Sequence, residues 1–265
     1  MDESNSKSYG VIVNSFLELE GEFAEHYRDS LSGRAWHVGP VSLSHRIEDR
    51  DRRHWLNWLD SKERDAVIYV CFGSQANFST SQLNELASGL LDSNHYFIWI
   101  VRKESPQLLL DSELSESNKG IVIRGWAPQL RILNHESIGG FVTHCGWNSV
   151  MEGVSTGKPM VTWPVFGDQA VNEKLVVDEL KIGVRVGARI KDESEKEPPL
   201  IKSGDIVRAI KKVMGKDEEE VMRMRRKAKK LGEEARRAVE EGGSSWREMQ
   251  RLVEDLMSLN KDLVT

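Results

Sequence analysis

Cysteine is nearly absent: Cys71 and Cys145 are the two in 265 residues. Two cysteines cannot build a disulfide framework. Both sit among apolar or turn residues rather than in a CxxC, so a reducing, cytosolic compartment is the expectation. No charge of one sign dominates. The 37 Lys and Arg against 42 Asp and Glu leave a net charge of −5, which excludes a global bias toward nucleic acid or an anionic membrane. No apolar run approaches the roughly 18 residues of a membrane span, and the polar, acidic start MDESNSKSYG has the marks of neither a signal nor a transit peptide. There is no internal repeat. No GxGxxG follows the first strand of the main domain, as a dinucleotide-dependent oxidoreductase would require. Metal-ligand spacing is lacking too, since His135 and His144 have no supporting carboxylate or cysteine array. What remains is an ordinary apolar share, 39%, enough for one sizeable core or a main domain plus a smaller piece.

The first 50 residues are mixed. Tyr9–Phe16 reads as a strand with nothing obvious to pair with, Leu17–Ser30 as a helix, and Ala35–Val41 as a short extended piece. The charged stretch His45–Arg53 reads as a linker. From Asp65 the texture changes. Apolar runs at Ala66–Phe72, Tyr96–Val101, Ile121–Arg124, Gly140–Thr143, Pro159–Trp163 and Gly183–Val186 read as strands buried on both faces, the habit of a parallel sheet. Helices are expected between them at Ser81–Ser93, Pro128–Asn134, Asn148–Ser155 and Asp168–Glu179. That alternation predicts a doubly wound α/β domain. Lys191–Pro199 reads as a polar loop, Ser203 as the cap of a helix over Asp205–Met214, and Glu218–Glu240 as an amphipathic helix on Val221, Met224, Ala228, Leu231, Ala235 and Ala238. Its basic run Arg223–Lys230, set between acidic clusters, reads as a solvated face and not as a nucleic-acid patch. A last helix is expected over Ser244–Leu259, with Trp246, Met249, Leu252, Val253 and Leu256 as its apolar residues.

In an open parallel sheet, ligands bind beyond the carboxyl ends of the strands. Four strand ends carry small, aromatic, amide, hydroxyl or acidic residues: Gly73-Ser74, Gly125–Gln129, His144–Ser149 and Pro164–Gln169. At His144–Ser149 a buried strand meets a helix start. Gly146 lets a ligand approach the backbone, and the helix N–H groups with His144, Asn148 and Ser149 suit a phosphate. Trp126 offers a flat face to a nucleobase. Glu152, one turn beyond Asn148, suits a pair of ribose hydroxyls, and Asp168-Gln169 suits a polyol. The structural alternatives are a Trp in the core rim, a solvated Glu152, and N-caps at Asn148, Ser149 and Asp168.

The segment WAPQLRILNHESIGGFVTHCGWNSVMEGVSTGKPMVTWPVFGDQ, Trp126 to Gln169, resembles, almost position for position, the plant secondary-product glycosyltransferase box of the family-1 UDP-dependent glycosyltransferases. SYGVIVNSFLELE, AWHVGPVSL, WLDSKERDAVIYVCFGS and GEEARRAVEEGGSS are similar to the same family. The resemblance implies a Rossmann-like, doubly wound parallel sheet, the C-terminal donor-binding domain of a GT-B glycosyltransferase. It implies that Trp126 stacks on uracil while the Ala127 backbone pairs its edge, and that Gln129 and Glu152 hold the ribose. Ser74, His144, Asn148 and Ser149 would bind the phosphates, and Trp147, Asp168 and Gln169 the sugar, a closing Gln pointing to glucose. UDP-glucose is then a co-substrate, with no cofactor or metal, and the acceptor is a small plant metabolite such as a flavonoid, terpenoid or hormone.

The family's base histidine and the aspartate that orients it lie in an N-terminal domain. Nothing in residues 1–60 resembles that loop, and His26, His37, His45 and His54 stand in the wrong segments. Residues 1–50 are expected to be the tail of that domain plus a linker, 51–243 the donor-binding domain, and 244–265 a helix packing toward the N-terminal domain. A truncated chain that binds UDP but turns over poorly is the expectation. Its alternative is a non-catalytic UDP-sugar-binding module working with a separate N-terminal half. Self-association of an unpartnered half is a further expectation.

Overall fold

The computed structural model describes residues 8–44, 54–105, 114, 117–190, 198–215 and 218–262. They fall into two compact units, one drawn from Met1–Ile47 and Lys230–Thr265, the other from Glu48–Lys229.

The first unit opens with β1 (Val11–Val13), α1 (Leu17–Glu20), α2 (Glu22–Ser30) and β2 (Ala35–His37), then a 3-10 turn over Val41–Ser44. Two expectations are corrected here. β1 has a partner: it pairs with β2 in parallel, Val11 opposite Ala35 and Val13 opposite His37. The helix expected over Leu17–Ser30 is broken in two at Gly21, whose φ of +49° lies in the left-handed region that glycine enters freely. His26 is exposed and His37 is buried. His45 and the rest of the expected linker up to Arg53 lie outside the described residues.

The second unit contains α3 (His54–Asp60), β3 (Val67–Cys71), α4 (Thr80–Asp92), β4 (Tyr96–Val101), β5 (Gly120–Arg124), α5 (Gln129–Leu133), β6 (Ile138–Thr143), α6 (Trp147–Ser155), β7 (Met160–Thr162), α7 (Gln169–Lys174), β8 (Gly183–Arg185) and α8 (Ser203–Met214). The six strands form one parallel sheet in the order β5-β4-β3-β6-β7-β8. The expected class therefore holds. Ile68, Val70, Phe97, Trp99, Val142 and Val161 from the strands share a core with Leu83, Leu86 and Leu90 of α4 and Ile206, Ile210 and Val213 of α8. On the other side of β3, Tyr69 packs against Phe141, ring centroids 5.3 Å apart. Burial on both faces is why these strands read as unbroken apolar runs and not as alternating ones.

Apart from shifts of one to three residues at helix ends, two helices differ from expectation. The helix after β7 is not a single α-helix over Asp168–Glu179. α7 passes at Lys174 into a π-helical turn, Leu175–Glu179, closed by the Leu180 N–H on the Leu175 carbonyl. Ser203 does not cap α8 with its hydroxyl. It is the first residue of the helix, and its own N–H is taken by the Glu85 carboxylate of α4 at 2.8 Å. That bond, joined by Lys202 Nζ at 3.0 Å, holds the Glu85 carboxyl below its usual range.

The approach to α8 is further fixed by Gln82, buried in α4. Its Nε2 donates to the Ile201 carbonyl at 2.9 Å, and its Oε1 accepts the Ile201 N–H at 2.8 Å. One amide thus replaces a β-bridge for a strand-less segment. Gln82→Ala strips both partners from a buried backbone and is expected to cost about 2 kcal/mol. A urea titration of the chain checks this, and an unmoved midpoint would refute it.

α9 (Glu219–Val239) follows, and α10 (Ser244–Asp262) ends the described chain. The α9 periodicity holds: Val221, Met224, Ala228, Leu231, Ala235 and Ala238 are all buried. Its basic run is mostly exposed, but Arg225 is an exception to the solvated-face reading. Arg225 is half-buried and donates to the Val213 carbonyl at 2.9 Å. α10 packs on β2. Arg251 donates to the Gly33 and Ala35 carbonyls at 2.8 and 2.6 Å, and the Trp36 indole N–H donates to Asp255 at 3.0 Å. Leu252 is buried against Trp36 and Val38, while Trp246, Met249, Val253 and Leu256 remain exposed.

Candidate functional site

In the sheet order, β3 lies between β4 and β6. Chain progress runs outward in one direction through β4 and β5, and in the other through β6, β7 and β8. The switch point where such sheets open a ligand crevice is therefore the gap beyond the carboxyl ends of β3 and β6. The turns after β3, β5, β6 and β7 each contain a residue of positive φ: Gly73 (+70°), Gly125 (+107°), Cys145 (+63°) and Gly167 (+64°). Each strand thus bends sharply at the same edge. Cys145 adopts this conformation without being glycine. It is held there by its N–H on Thr143 Oγ1 at 3.2 Å and by Asn172 Nδ2, which donates to its carbonyl at 2.9 Å.

His144 stands at the switch point, wedged between two glycines. A Cβ on Gly73 would lie 2.8 Å from His144 Cε1, and a Cβ on Gly146 would lie 2.4 Å from His144 Nε2. Neither side of the ring has room for a methyl group. Nδ1 is buried without a hydrogen-bond partner. Burial lowers the His144 pKa, and the Asp168 carboxylate acts weakly in the opposite direction. The ring is therefore a neutral, fixed imidazole near pH 7.

α6 begins directly beyond it, with Gly146 as N-cap and no side-chain cap. The first intrahelical bond is Val150 N–H to the Gly146 carbonyl at 3.0 Å, so the N–H groups of residues 147–149 precede the ladder and point out of the helix start. Asn148 is exposed there, Trp147 is half-buried, and Ser74 is exposed on the facing β3 turn.

Gln129, the first residue of α5, gathers a second group. Its Oε1 accepts from the Tyr69 hydroxyl at 3.3 Å, and its Nε2 donates to Ser149 Oγ at 3.1 Å and to Glu152 Oε2 at 2.5 Å. Ser149 is thus turned toward Gln129 and Glu152, and it is buried inside α6 and not its cap. Glu152 is not a solvated surface carboxylate. Burial raises its pKa, and the Gln129 bond offsets part of the shift. These bonds pin the Trp126–Gln129 segment against α6. Ala127 is buried, whereas the Trp126 side chain is 74% exposed, so it is no core-rim residue.

Beyond β7, Asp168 is exposed, makes no capping bond, and accepts instead from Asn172 Nδ2 at 3.0 Å. Gln169 is buried, its Oε1 accepting the Val165 and Phe166 N–H groups at 2.8 and 3.1 Å. Sequence reasoning missed Tyr69 and Asn172. Tyr69 is hidden in an apolar strand. Asn172 stands four residues past Asp168, a spacing that places both on one helix face. At the amino end of β6, His135 Nε2 lies 3.0 Å from Asp60 Oδ1, and Nδ1 lies 2.8 Å from Ser137 Oγ. Among the described residues, no three His, Cys, Asp or Glu side chains converge as a metal-binding group, and no helix is long and apolar enough to cross a membrane.

Residues 44–230 match the family described as UDP-glucoronosyl and UDP-glucosyl transferase. A scopoletin glucosyltransferase of Nicotiana tabacum is 52% identical over 96% of this chain and 55% of its own length. A Glycyrrhiza uralensis enzyme, UGT73P12, complexed with glycyrrhetinic acid 3-O-monoglucuronide, superposes with a TM-score of 0.91 at 42% identity, covering 99% of this chain and 56% of that one. Medicago truncatula UGT71G1 complexed with UDP-glucose gives 0.79 at 32% identity, covering 94% and 54%. The chain thus spans about half the length of the curated relatives it matches. On these matches and its parallel-sheet fold, the chain belongs to the UDP-glucoronosyl and UDP-glucosyl transferase family, the plant family-1 glycosyltransferases.

Proposed function

We propose that the second unit is the donor-binding, C-terminal half of an inverting UDP-glycosyltransferase, that its donor is UDP-glucose, and that its acceptor is a small plant phenolic or terpenoid. The observation that carries the reading is Trp126. A tryptophan three-quarters in water does not serve the core, and it sits on a segment that Gln129 fastens to α6. Uracil stacks on its face and pairs with the Ala127 backbone. Gln129 and Glu152 receive the ribose hydroxyls. The diphosphate lies over the start of α6, met by Asn148, Ser149, Ser74, the helix N–H groups and His144. The glucose rests among Trp147, Asp168 and Gln169. The compounds named with two relatives, scopoletin for the Nicotiana tabacum glucosyltransferase and the glycyrrhetinic acid 3-O-monoglucuronide bound to UGT73P12, motivate the acceptor class. The two free cysteines suit a cytosolic setting.

In the reaction, the acceptor hydroxyl oxygen bonds to the anomeric carbon from the face opposite UDP. The carbon–oxygen bond to the diphosphate breaks, and the acceptor proton passes to a base. Charge gathers on the leaving diphosphate, where the helix start and His144 stabilise it. His144 is committed to that side by its two glycine walls, so the base is another group. Incubated with UDP-glucose and a phenolic acceptor, this chain is expected to bind the donor and form no glycoside, and an added N-terminal half of a relative is expected to restore transfer. Robust glycoside formation by the chain alone would sink this division of labour.

His144 also sets a pH dependence. Its pKa in the free chain lies below the ordinary 6.5, and a bound diphosphate raises it. UDP binding therefore takes up a proton in the window between the two values. Affinity is flat well above pH 7 and rises as pH falls through the window. The free chain shows the opposite trend in stability: below about pH 6.5 the unfolded histidine protonates while the buried one resists, so folding weakens. Calorimetry of UDP binding in two buffers of different ionisation heat, at pH 6 and pH 8, reads the net proton, and His144→Ala separates the ring's share from that of UDP's terminal phosphate, which titrates near pH 6 as well. A net uptake at pH 6 that is the same in wild type and His144→Ala would remove His144 from the phosphate site.

A further inference from the structure

Asn172 is 7% exposed in α7, yet none of the donor roles above uses it. Its single Nδ2 group joins two parts of the site. It donates to the Cys145 carbonyl, in the turn between β6 and α6, at 2.9 Å, and to Asp168 Oδ2, one helical turn earlier, at 3.0 Å. The first bond fixes the amide plane against the turn that carries His144. The second draws the Asp168 carboxylate away from capping α7, a role it does not fill, and sets it near enough to His144 to act on that ring's pKa. The Cys145 turn has its own bonds besides, from Cys145 N–H and Sγ to Thr143. Loss of the amide would therefore release Asp168 more than the turn.

We propose that Asn172 is a positioning residue that ties the sugar-binding carboxylate of Asp168 to the phosphate-binding turn through Cys145. The proposal rests on the donor-site reading above. Its consequence is geometric. The anomeric carbon is bonded to the β-phosphate, so the grip on the sugar hydroxyls must hold a fixed distance from the grip on the phosphates, and small misplacements are costly in such steps. With Oδ2 spent on Asn172, and Gln169 Oε1 spent on Val165 and Phe166, the pair offers the sugar one carboxylate oxygen and one amide NH2 group at a set spacing from the turn.

The test is calorimetric titration of the 265-residue chain with UDP and with UDP-glucose. Asn172→Ala and the similarly sized but donor-free and uncharged Asn172→Leu are expected to keep UDP affinity within about threefold of wild type and to weaken UDP-glucose about tenfold, the size of one lost hydrogen bond to a charged group. Asp168→Ala is expected to weaken UDP-glucose in the wild-type background and to add less than about twofold on Asn172→Ala, because coupled residues are not additive. Equal losses for the two ligands, unchanged UDP-glucose binding, or an Asp168→Ala effect of the same size in both backgrounds would each overturn the role of Asn172 while leaving the donor site standing. If Asn172→Ala fails to fold, Asn172→Leu carries the same expectations. A wild-type chain that binds neither nucleotide, or UDP without UDP-glucose, overturns the donor-site reading and this role with it.

Discussion

Alanine at Gly146 is expected to weaken UDP binding on the order of a hundredfold while leaving the fold intact. The backbone at Gly146 has φ −59° and ψ 140°, a conformation open to any residue, so the substitution meets no strain of its own. Its obstacle is the added methyl, 2.4 Å from His144 Nε2. The imidazole must swing out of its gap, away from the position in which it would meet a diphosphate at the start of α6. A hydrogen bond to a charged group is worth about 1.5–3 kcal/mol, and a displaced ring obstructs the site besides. The unfolding midpoint is expected to move little, since no buried contact of the core is touched. His144→Ala supplies the control. With the ring gone the methyl has nothing to strike, so Gly146→Ala on that background should add almost no further loss. Calorimetry with UDP measures all four proteins. Binding by Gly146→Ala within threefold of wild type would show that the wedged histidine is not part of the phosphate site.

Trp126→Ala is expected to lower UDP affinity about 5- to 150-fold, from a base–aromatic stack worth about 1–3 kcal/mol. Because the side chain is 74% exposed, stability should stay within about 0.5 kcal/mol of wild type, which separates a binding role from a packing role. Trp126→Phe should recover most of the affinity, and inorganic pyrophosphate, which has no base, should bind the Ala variant as it binds wild type. UDP affinity unchanged in Trp126→Ala, or pyrophosphate lost in parallel, would refute the stacking assignment.

The sheet is legible in the sequence because strands buried on both faces leave β-branched runs: Tyr96–Val101 is a strand to the residue, while Pro159–Trp163 contracts to Met160–Thr162. The α9 stripe is legible for the same reason, its core face repeating every three or four residues. What escapes is pairing between distant segments. Val11 opposite Ala35 and Tyr69 on Gln129 leave no local pattern, since each partner alone reads as strand or loop. The strand-end loops were readable as a ligand edge because topology alone sends them there. Their inner wiring is not, because Ser149 and Asn172 bond groups from other loops, Gln129 and the Cys145 carbonyl, while Gln169 folds back on the N–H groups of its own loop. Gly146 was visible as a turn glycine. Its second purpose, room for an imidazole, needed the neighbouring strand.

The seam between β3 and β6 has one further consequence, for how the protein is made. Val67 pairs with Ile138 across it, and Cys71 with Thr143. On a ribosome β3 and β4 emerge close together and can dock at once. The gap that holds His144 between Gly73 and Gly146 comes into being when the later strand slides in beside the earlier one, a long-range closure of the slow kind. A ligand that needs both walls therefore acts as a seal on finished chains. It holds the completed seam shut by mass action and gives nothing to a nascent chain whose sheet is still half assembled.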